Sequence, residues 1–120
     1  MRPVAIALVL LGIGAAALAQ APAQTPALVA AGRAAYEGST AGCHACHGVT
    51  GEGNGPVGFA LNPRPRNFTK DPFKGGDTVE QIYTTITNGL PGTSMASYAF
   101  LPDDTRRALA AYVQTFRPKK

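Results

Sequence analysis

The chain has 120 residues, 45% of them hydrophobic, with 14 glycines, 10 prolines and a formal charge of +4. This length supports one small domain with a limited apolar core, and the glycine and proline content indicates irregular chain between short elements. The basic residues are spread along the sequence without interleaved aromatic side chains, which argues against a nucleic-acid-binding protein.

The N-terminal stretch is typical of a secretory signal peptide. Arg2 precedes an apolar run from Val4 to Leu18, and alanines flank Leu18. We therefore expect residues 1–19 to be removed by cleavage after Ala19 and the mature protein to be periplasmic. The run has 15 residues, fewer than the roughly 20 that span a bilayer, so no stable membrane insertion is expected; a retained anchor is the alternative.

Residues 20–26 are rich in Ala, Pro and Gln and are predicted to be a flexible leader. The folded domain is predicted over residues 27–117, with a basic tail at 118–120. It should begin with a short helix that ends at Gly38, because four residues share one face: Leu28, Gly32, Ala35 and Tyr36. A glycine inside a helix costs about 1 kcal/mol relative to alanine, so Gly32 indicates that the backbone of the last helix passes close.

The pentapeptide Cys43-His44-Ala45-Cys46-His47 is the strongest motif in the chain. Two thiols three positions apart, with a histidine directly after the second, have the spacing that attaches haem covalently. Each thiol can add to one vinyl group at the edge of a haem, and His47 is then brought under the iron as a nitrogen ligand. The motif therefore predicts a c-type haem.

Other uses of the pentapeptide fit less well. A structural zinc ion needs about four separated ligands, but the chain has only two cysteines and two histidines, all within this motif. A thioredoxin-like redox pair requires a βαβ unit, which the sequence does not indicate. A plain disulfide between Cys43 and Cys46 is a further alternative, because such thiols tend to oxidise in an exported protein.

Residues 48–76 are predicted to be mostly loop because they are rich in glycine and proline. A second helix should follow the capping residues 77–81 and stop at Asn88 and Gly89, with an apolar stripe of Val79, Ile82, Tyr83 and Ile86. A last helix is predicted from about Pro102 to Phe116, where Leu109, Tyr112, Val113 and Phe116 recur at helical spacing.

Met95 is the best candidate for the opposite face of the iron. Apart from Met1 it is the only methionine, and the only histidine besides His47 is His44, which lies in the attachment motif itself. Met95 follows a turn-rich loop at residues 89–94 that can fold a side chain over a planar cofactor. A lone methionine usually fills a gap in the core, which is the alternative.

Four segments together resemble a class I cytochrome c of the bacterial type: Gly32 with Tyr36, Cys43 to Gly48, Gly92 to Met95, and Leu109 to Val113. The resemblance implies an all-α fold in which about three main helices and their loops surround one covalently bound haem. It also implies thioether bonds at Cys43 and Cys46 and axial iron ligands at His47 and Met95. The implied reaction is one-electron transfer, without enzymatic catalysis.

Two further residues carry over from the resemblance. A proline after the attachment motif commonly offers its carbonyl to the ring N–H of the proximal histidine, and Pro56 is the expected counterpart. An arginine in the following proline-rich segment could pair with a haem propionate, and we expect Arg66 rather than Arg64. The sequence departs from the commoner pattern at Ala96, where a proline often follows the ligand methionine, and at Pro102, where a capping Ser or Thr is usual.

The leading hypothesis is an exported, monomeric carrier that exchanges single electrons with redox partner proteins. The charge of +3 that remains after loss of Arg2 could steer partners with acidic surfaces. The same residues would serve a haem subunit of a multi-subunit dehydrogenase or oxidase. A haem peroxidase or gas sensor is a weaker alternative, because it needs an open or displaceable iron position.

Overall fold

The computed structural model describes residues 24–119 and the isolated positions 4, 12 and 14. This part of the chain contains the α-helices α1 (Pro26–Glu37), α2 (Cys43–His47), α3 (Val79–Asn88) and α4 (Asp103–Gln114) and a 3-10 helix at Gly58–Ala60. No strand occurs among the described residues, and none of their helices is long and apolar enough to cross a membrane. The all-α prediction is confirmed. The predicted signal peptide, except for positions 4, 12 and 14, lies outside the described residues, as do residues 20–23 and Lys120.

Helix α1 begins one residue inside the predicted leader because Thr25 caps it. The Thr25 hydroxyl accepts a hydrogen bond from the Leu28 amide at 3.2 Å, and Pro26 occupies the first turn, where its missing N–H costs nothing. The side-chain amide of Gln24 also donates to the Ala111 carbonyl at 2.8 Å. Contacts with α4 therefore start before α1 itself.

Helices α1 and α4 cross at Gly32, as the sequence predicts. Gly32 is buried, and a Cβ atom on it would lie 2.7 Å from the Cβ of Tyr112 and would overlap the Ala108 carbonyl. A glycine is therefore required for the two backbones to approach this closely. Tyr36 and Leu109, both fully buried, lie in the same core.

Helix α3 packs against α4 and completes the core. Thr78 and Gln81 form a capping box, in which each side chain accepts from the other residue's amide at 3.1 and 3.2 Å. Ile82 and Ile86 of the predicted apolar stripe are buried in one cluster with Val113. The cap and the stripe are both where the sequence predicts them.

Helix α4 is shorter than predicted and runs from Asp103 to Gln114. Pro102 is its N-cap and makes no side-chain hydrogen bond, so acidic residues in the first turn complement the N-terminal backbone amides instead. The Asp103 carboxylate accepts hydrogen bonds from the Tyr83 hydroxyl on α3 and from Arg107, which together lower the pKa of Asp103. This network joins α3 to the start of α4.

The long loop after α2 folds back onto the attachment motif. Gly51 and Gly53 have positive φ angles of 73° and 75°, which favour glycine. The Gly53 amide donates to the His47 carbonyl at 2.8 Å, and the Phe68 amide donates to the Gly51 carbonyl at 2.8 Å. These bonds return residues 65–68 to the side of His47.

Candidate functional site

A large cleft lies between α2, α3, the long loop and the loop that follows α3. It contains about 1200 Å³ of unfilled space, including solvent at its mouth. Its walls are mainly apolar and aromatic and include Leu61, Phe68, Phe73, Ile82, Ile86, Leu90, Tyr98 and Val113. A cleft of this size and lining can hold a large, flat organic cofactor.

The two thiols of the attachment motif lie in the wall of this cleft. They belong to α2, which follows Gly42 in a left-handed conformation with φ of 61°. Cys43 and Cys46 are half-buried and are not joined in a disulfide. Burial raises the pKa of Cys43 to about 11, so this thiol is protonated at neutral pH until a bond is made to its sulfur.

His47 also lines the cleft and is held as a neutral imidazole with one free nitrogen. Its Nδ1 lies 3.2 Å from the Arg66 carbonyl oxygen, which can only accept, so Nδ1 carries the proton and Nε2 keeps its lone pair. Burial lowers the pKa of His47, and the bond to Arg66 partly opposes this shift. One face of the ring stacks on Phe68, with centroids 4.3 Å apart. This arrangement suits a nitrogen ligand to a metal.

The carbonyl beside His47 belongs to Arg66, so the prediction that Pro56 supplies it is wrong. Pro56 is exposed and does not line the cleft. The amides of Gly55 and Val57 bond to carbonyls of α2, which holds the Pro56 segment against the helix backbone and away from the imidazole. Nothing in the sequence marks which loop carbonyl meets the ring, because every residue carries the same group.

His44, the other histidine of the motif, does not line the cleft. Its Nδ1 lies 3.1 Å from the Tyr36 carbonyl, at the end of α1. Within residues 24–119, no group of three or more His, Cys, Asp or Glu side chains is arranged to hold a metal ion by itself.

Met95 lines the cleft from the loop that follows α3. Its amide donates to the Thr93 hydroxyl at 3.1 Å, and that hydroxyl donates to the Leu90 carbonyl at 2.7 Å. The Leu90 amide in turn donates to the Met95 carbonyl at 3.0 Å. The Met95 backbone is therefore held at both its N–H and its C=O, and Ala96 in place of a proline does not remove the side chain from the cleft.

Sequence reasoning missed the part that Thr93 plays in this loop. The sequence feature that could have indicated it is the position of Thr93, two residues before Met95, because a threonine hydroxyl can accept a hydrogen bond from a nearby backbone amide.

Among the described residues, three cationic side chains line the cleft, Arg64, Arg66 and Lys74, and no carboxylate does. The Arg64 guanidinium lies 4.6 Å from the ring centroid of Phe59, an exposed side chain. These cations match a cofactor that carries carboxylates. Both arginines considered in the sequence are therefore in reach of the cleft, and their position alone does not choose between them.

The residues present fit a covalently attached haem. Two thiols at the required spacing, a neutral imidazole and a methionine thioether line one apolar cleft. The cleft also supplies cations for propionate groups, while its aromatic walls match a flat ring. The cleft that these residues line is mainly apolar and is not a polar, water-filled site.

Comparisons with known proteins agree with this chemistry. Residues 27–113 match a family model described as cytochrome c oxidase, cbb3-type, subunit III. No curated protein matches the chain significantly. Among solved structures, the chain is similar to one from the reducing HAO-like protein complex of Kuenenia stuttgartiensis, with 37% sequence identity and a TM-score of 0.71 over 78% of this chain and 46% of that one. This chain therefore spans less than half the length of that relative. It belongs to the family that the model describes, and its domain is of the class I cytochrome c type.

Proposed function

We propose that the protein transfers single electrons through one haem c that is bonded to Cys43 and Cys46 and ligated by His47 and Met95. The observation that carries this proposal is that all four side chains line the same cleft, although Met95 is far from the other three in sequence. A methionine that only filled a gap in the core would have no reason to share a cleft with the attachment motif.

When bound, the haem supplies an iron that alternates between the ferrous and ferric states. The residues of the chain tune that iron. The bond from His47 Nδ1 to the Arg66 carbonyl orients the imidazole and increases its basicity. At the iron, the Met95 thioether would favour the ferrous state and would close the site that oxygen or peroxide needs, which would favour electron transfer over peroxidase chemistry.

We assign the haem propionates to the cations of the cleft, which are Arg64, Arg66 and Lys74. Arg66, the arginine expected from the sequence, stays our first choice of partner. A carboxylate in an otherwise apolar cleft needs a paired charge, because burying it alone is costly. The described residues of the lining supply these three cations and no competing acid.

The surface charge next to the cleft supports a redox partner with an acidic docking surface. Elsewhere among the described residues, four arginines pair with carboxylates: Arg33, Arg106, Arg107 and Arg117. Within the described chain, no such ion pair is formed by the four cations of residues 64–74, which are Arg64, Arg66, Lys70 and Lys74. Unpaired positive charge at the cleft would steer an acidic protein toward the haem.

We further propose that the mature protein acts as a monomer in the periplasm. The N-terminal sequence supports export, because its apolar run follows a basic residue and ends in a small-residue cleavage site. Export would also place the two thiols where attachment to haem is a stable chemical outcome.

A second candidate is a haem domain that works inside a larger assembly. The solved relative comes from a protein complex, and the family description names an oxidase subunit. Size-exclusion chromatography of native extract distinguishes the two candidates. A carrier elutes near its mature mass, whereas a subunit elutes with its assembly.

The attachment itself is tested by an alkaline pyridine spectrum together with the intact mass of the purified protein. We expect the spectrum of a haem with two thioether bonds and a mass equal to the chain after Ala19 plus one haem. The Cys46→Ser variant should show at most one thioether bond. Colourless protein with the mass of the polypeptide alone would overturn the proposal.

A further inference from the structure

The Phe68 ring covers one face of the His47 imidazole, and the proposed function does not yet assign a role to it. The rings of His47 and Phe68 have centroids 4.3 Å apart and planes only 18° apart, so they are stacked. Phe68 lies two residues after Arg66, whose carbonyl meets Nδ1 at 3.2 Å. One short segment of the loop therefore contacts the imidazole at an edge and on a face.

Phe68 is itself held firmly. Its amide donates to the Gly51 carbonyl at 2.8 Å. The Phe116 ring is nearly parallel to it at 15°, with centroids 6.2 Å apart, and the centroid of the Phe73 ring lies 5.1 Å away. The Phe116 ring in turn packs against Gly51, where a Cβ atom would lie 2.8 Å from the ring. The imidazole thus rests on a supported stack and not on a mobile side chain.

A hydrogen bond and a stacked ring restrain different motions of the imidazole. The bond from Nδ1 to the Arg66 carbonyl fixes a direction, but a single bond of 3.2 Å tolerates some rotation of the ring. Contact across a whole face opposes that rotation, because tilting the imidazole would drive it into the Phe68 ring. The two restraints together define one plane.

We propose that Phe68 is a positioning residue that fixes the plane of the His47 imidazole at the iron. The proposal rests on the proposed function, since it requires His47 to be an axial ligand. The plane of an axial imidazole determines which iron orbitals receive its π electrons, and contacts around a ligating histidine control its orientation and basicity. The Phe68 ring also covers one face of the imidazole, and an apolar neighbour there would favour the uncharged ferrous site and a higher potential.

The test compares Phe68→Leu, Phe68→Tyr and the control Phe116→Leu in the haem-loaded protein. Phe116→Leu removes a ring of the same kind that neighbours Phe68 but does not line the cleft and is not stacked on His47. The measurements are the g values of the low-spin ferric form by electron paramagnetic resonance, the reduction potential and the melting temperature.

We expect Phe68→Leu to shift and broaden the largest g value and to lower the potential, because the imidazole plane is no longer fixed. Phe68→Tyr, which keeps the ring, should restore the wild-type signal. Phe116→Leu should lower the melting temperature but move the g values much less, because it leaves the ring that is stacked on His47 in place. Unchanged g values in Phe68→Leu, or an equal shift in Phe116→Leu, would overturn the proposal.

A measurement on the unaltered protein covers the case in which Phe68→Leu fails to fold. In the diamagnetic ferrous form, nuclear Overhauser contacts between the ring protons of His47 and Phe68 are expected from their stacking. If these contacts are absent in a protein that is six-coordinate and low-spin, the role of Phe68 is rejected, whereas the proposed function is not. A wild-type protein without low-spin haem would instead reject the function on which it rests.

Discussion

Met95 reaches the cleft on a loop whose hydrogen bonds converge on one hydroxyl. Thr93 accepts from the Met95 amide and donates to the Leu90 carbonyl. The contact matters for the proposed function because a thioether is a weak ligand, so small losses of loop order would release Met95 from its proposed place at the iron.

Replacing Thr93 with valine should therefore loosen the methionine without removing it. Loss of two hydrogen bonds of about 0.5–1.5 kcal/mol each should raise the fraction of protein with dissociated Met95 by about tenfold. Carbon monoxide should bind the reduced variant correspondingly faster, and Thr93→Ser should restore the wild-type rate. Equal rates in Thr93→Val and wild type would show that the hydroxyl does not hold the ligand.

The sequence predicts those residues whose chemistry is specific and misses those that act through the backbone. Cys43, Cys46, His47 and Met95 are predictable because few side chains can bind haem or iron, and the structure brings all four to one cleft. The prediction for Pro56 concerns a carbonyl, a group that every residue has, and the ring partner is Arg66 instead.

Among the helices, the crossing of α1 and α4 depends on a single residue without a side chain. Gly32 is buried against the backbone of α4, and a methyl group there would overlap the Ala108 carbonyl. This crossing is predictable from sequence because a glycine weakens a helix. Its presence on an apolar stripe therefore indicates that a neighbouring backbone passes close to it.

Gly32→Ala should destabilise the protein even though alanine is the better helix former. Overpacking typically costs about 1–3 kcal/mol, which exceeds the gain of about 1 kcal/mol in helix propensity. Ala34→Gly, at an exposed position on the same helix, provides the matched control and should lose only the propensity difference. Chemical denaturation of both variants measures the two effects. A more stable Gly32→Ala protein would show that the helices do not need this close approach.

Helix boundaries are less predictable than helix faces, because caps depend on local hydrogen bonds. Thr25 starts α1 inside the predicted leader, whereas Pro102 caps α4 without a side-chain bond and leaves the charge of Asp103 to support the helix start. The stacking of Phe68 on His47 is beyond sequence reasoning, since it joins two segments through the fold of the residues between them.

Over the whole described molecule, the arginines on and beside the helices pair with carboxylates, whereas Arg64, Arg66 and Lys74, which line the cleft, form no ion pair. Such a charge pattern should make electron exchange with an anion depend on salt, because exposed charges are screened within about 10 Å at 0.1 M ionic strength. The pattern emerges only from the fold, since net charge alone gives no position for a partner.

Arg64→Gln should slow oxidation of the ferrous protein by hexacyanoferrate(III) about eightfold at low salt, since removing one charge roughly 10 Å from this trivalent anion changes the interaction by about 1.2 kcal/mol. Arg33→Gln is the matched control, because Arg33 already pairs with Glu37 on α1. High salt should remove the difference between the variants. An equal effect of both changes would indicate that only net charge matters.

The most direct test of the account is the absorption spectrum and reduction potential of Met95→Ala. We expect haem to remain covalently attached, the iron to become five-coordinate or water-ligated, and the potential to fall markedly, because the thioether that favours ferrous iron is lost. An unchanged spectrum and potential would contradict the claim that Met95 lies opposite His47 at the iron.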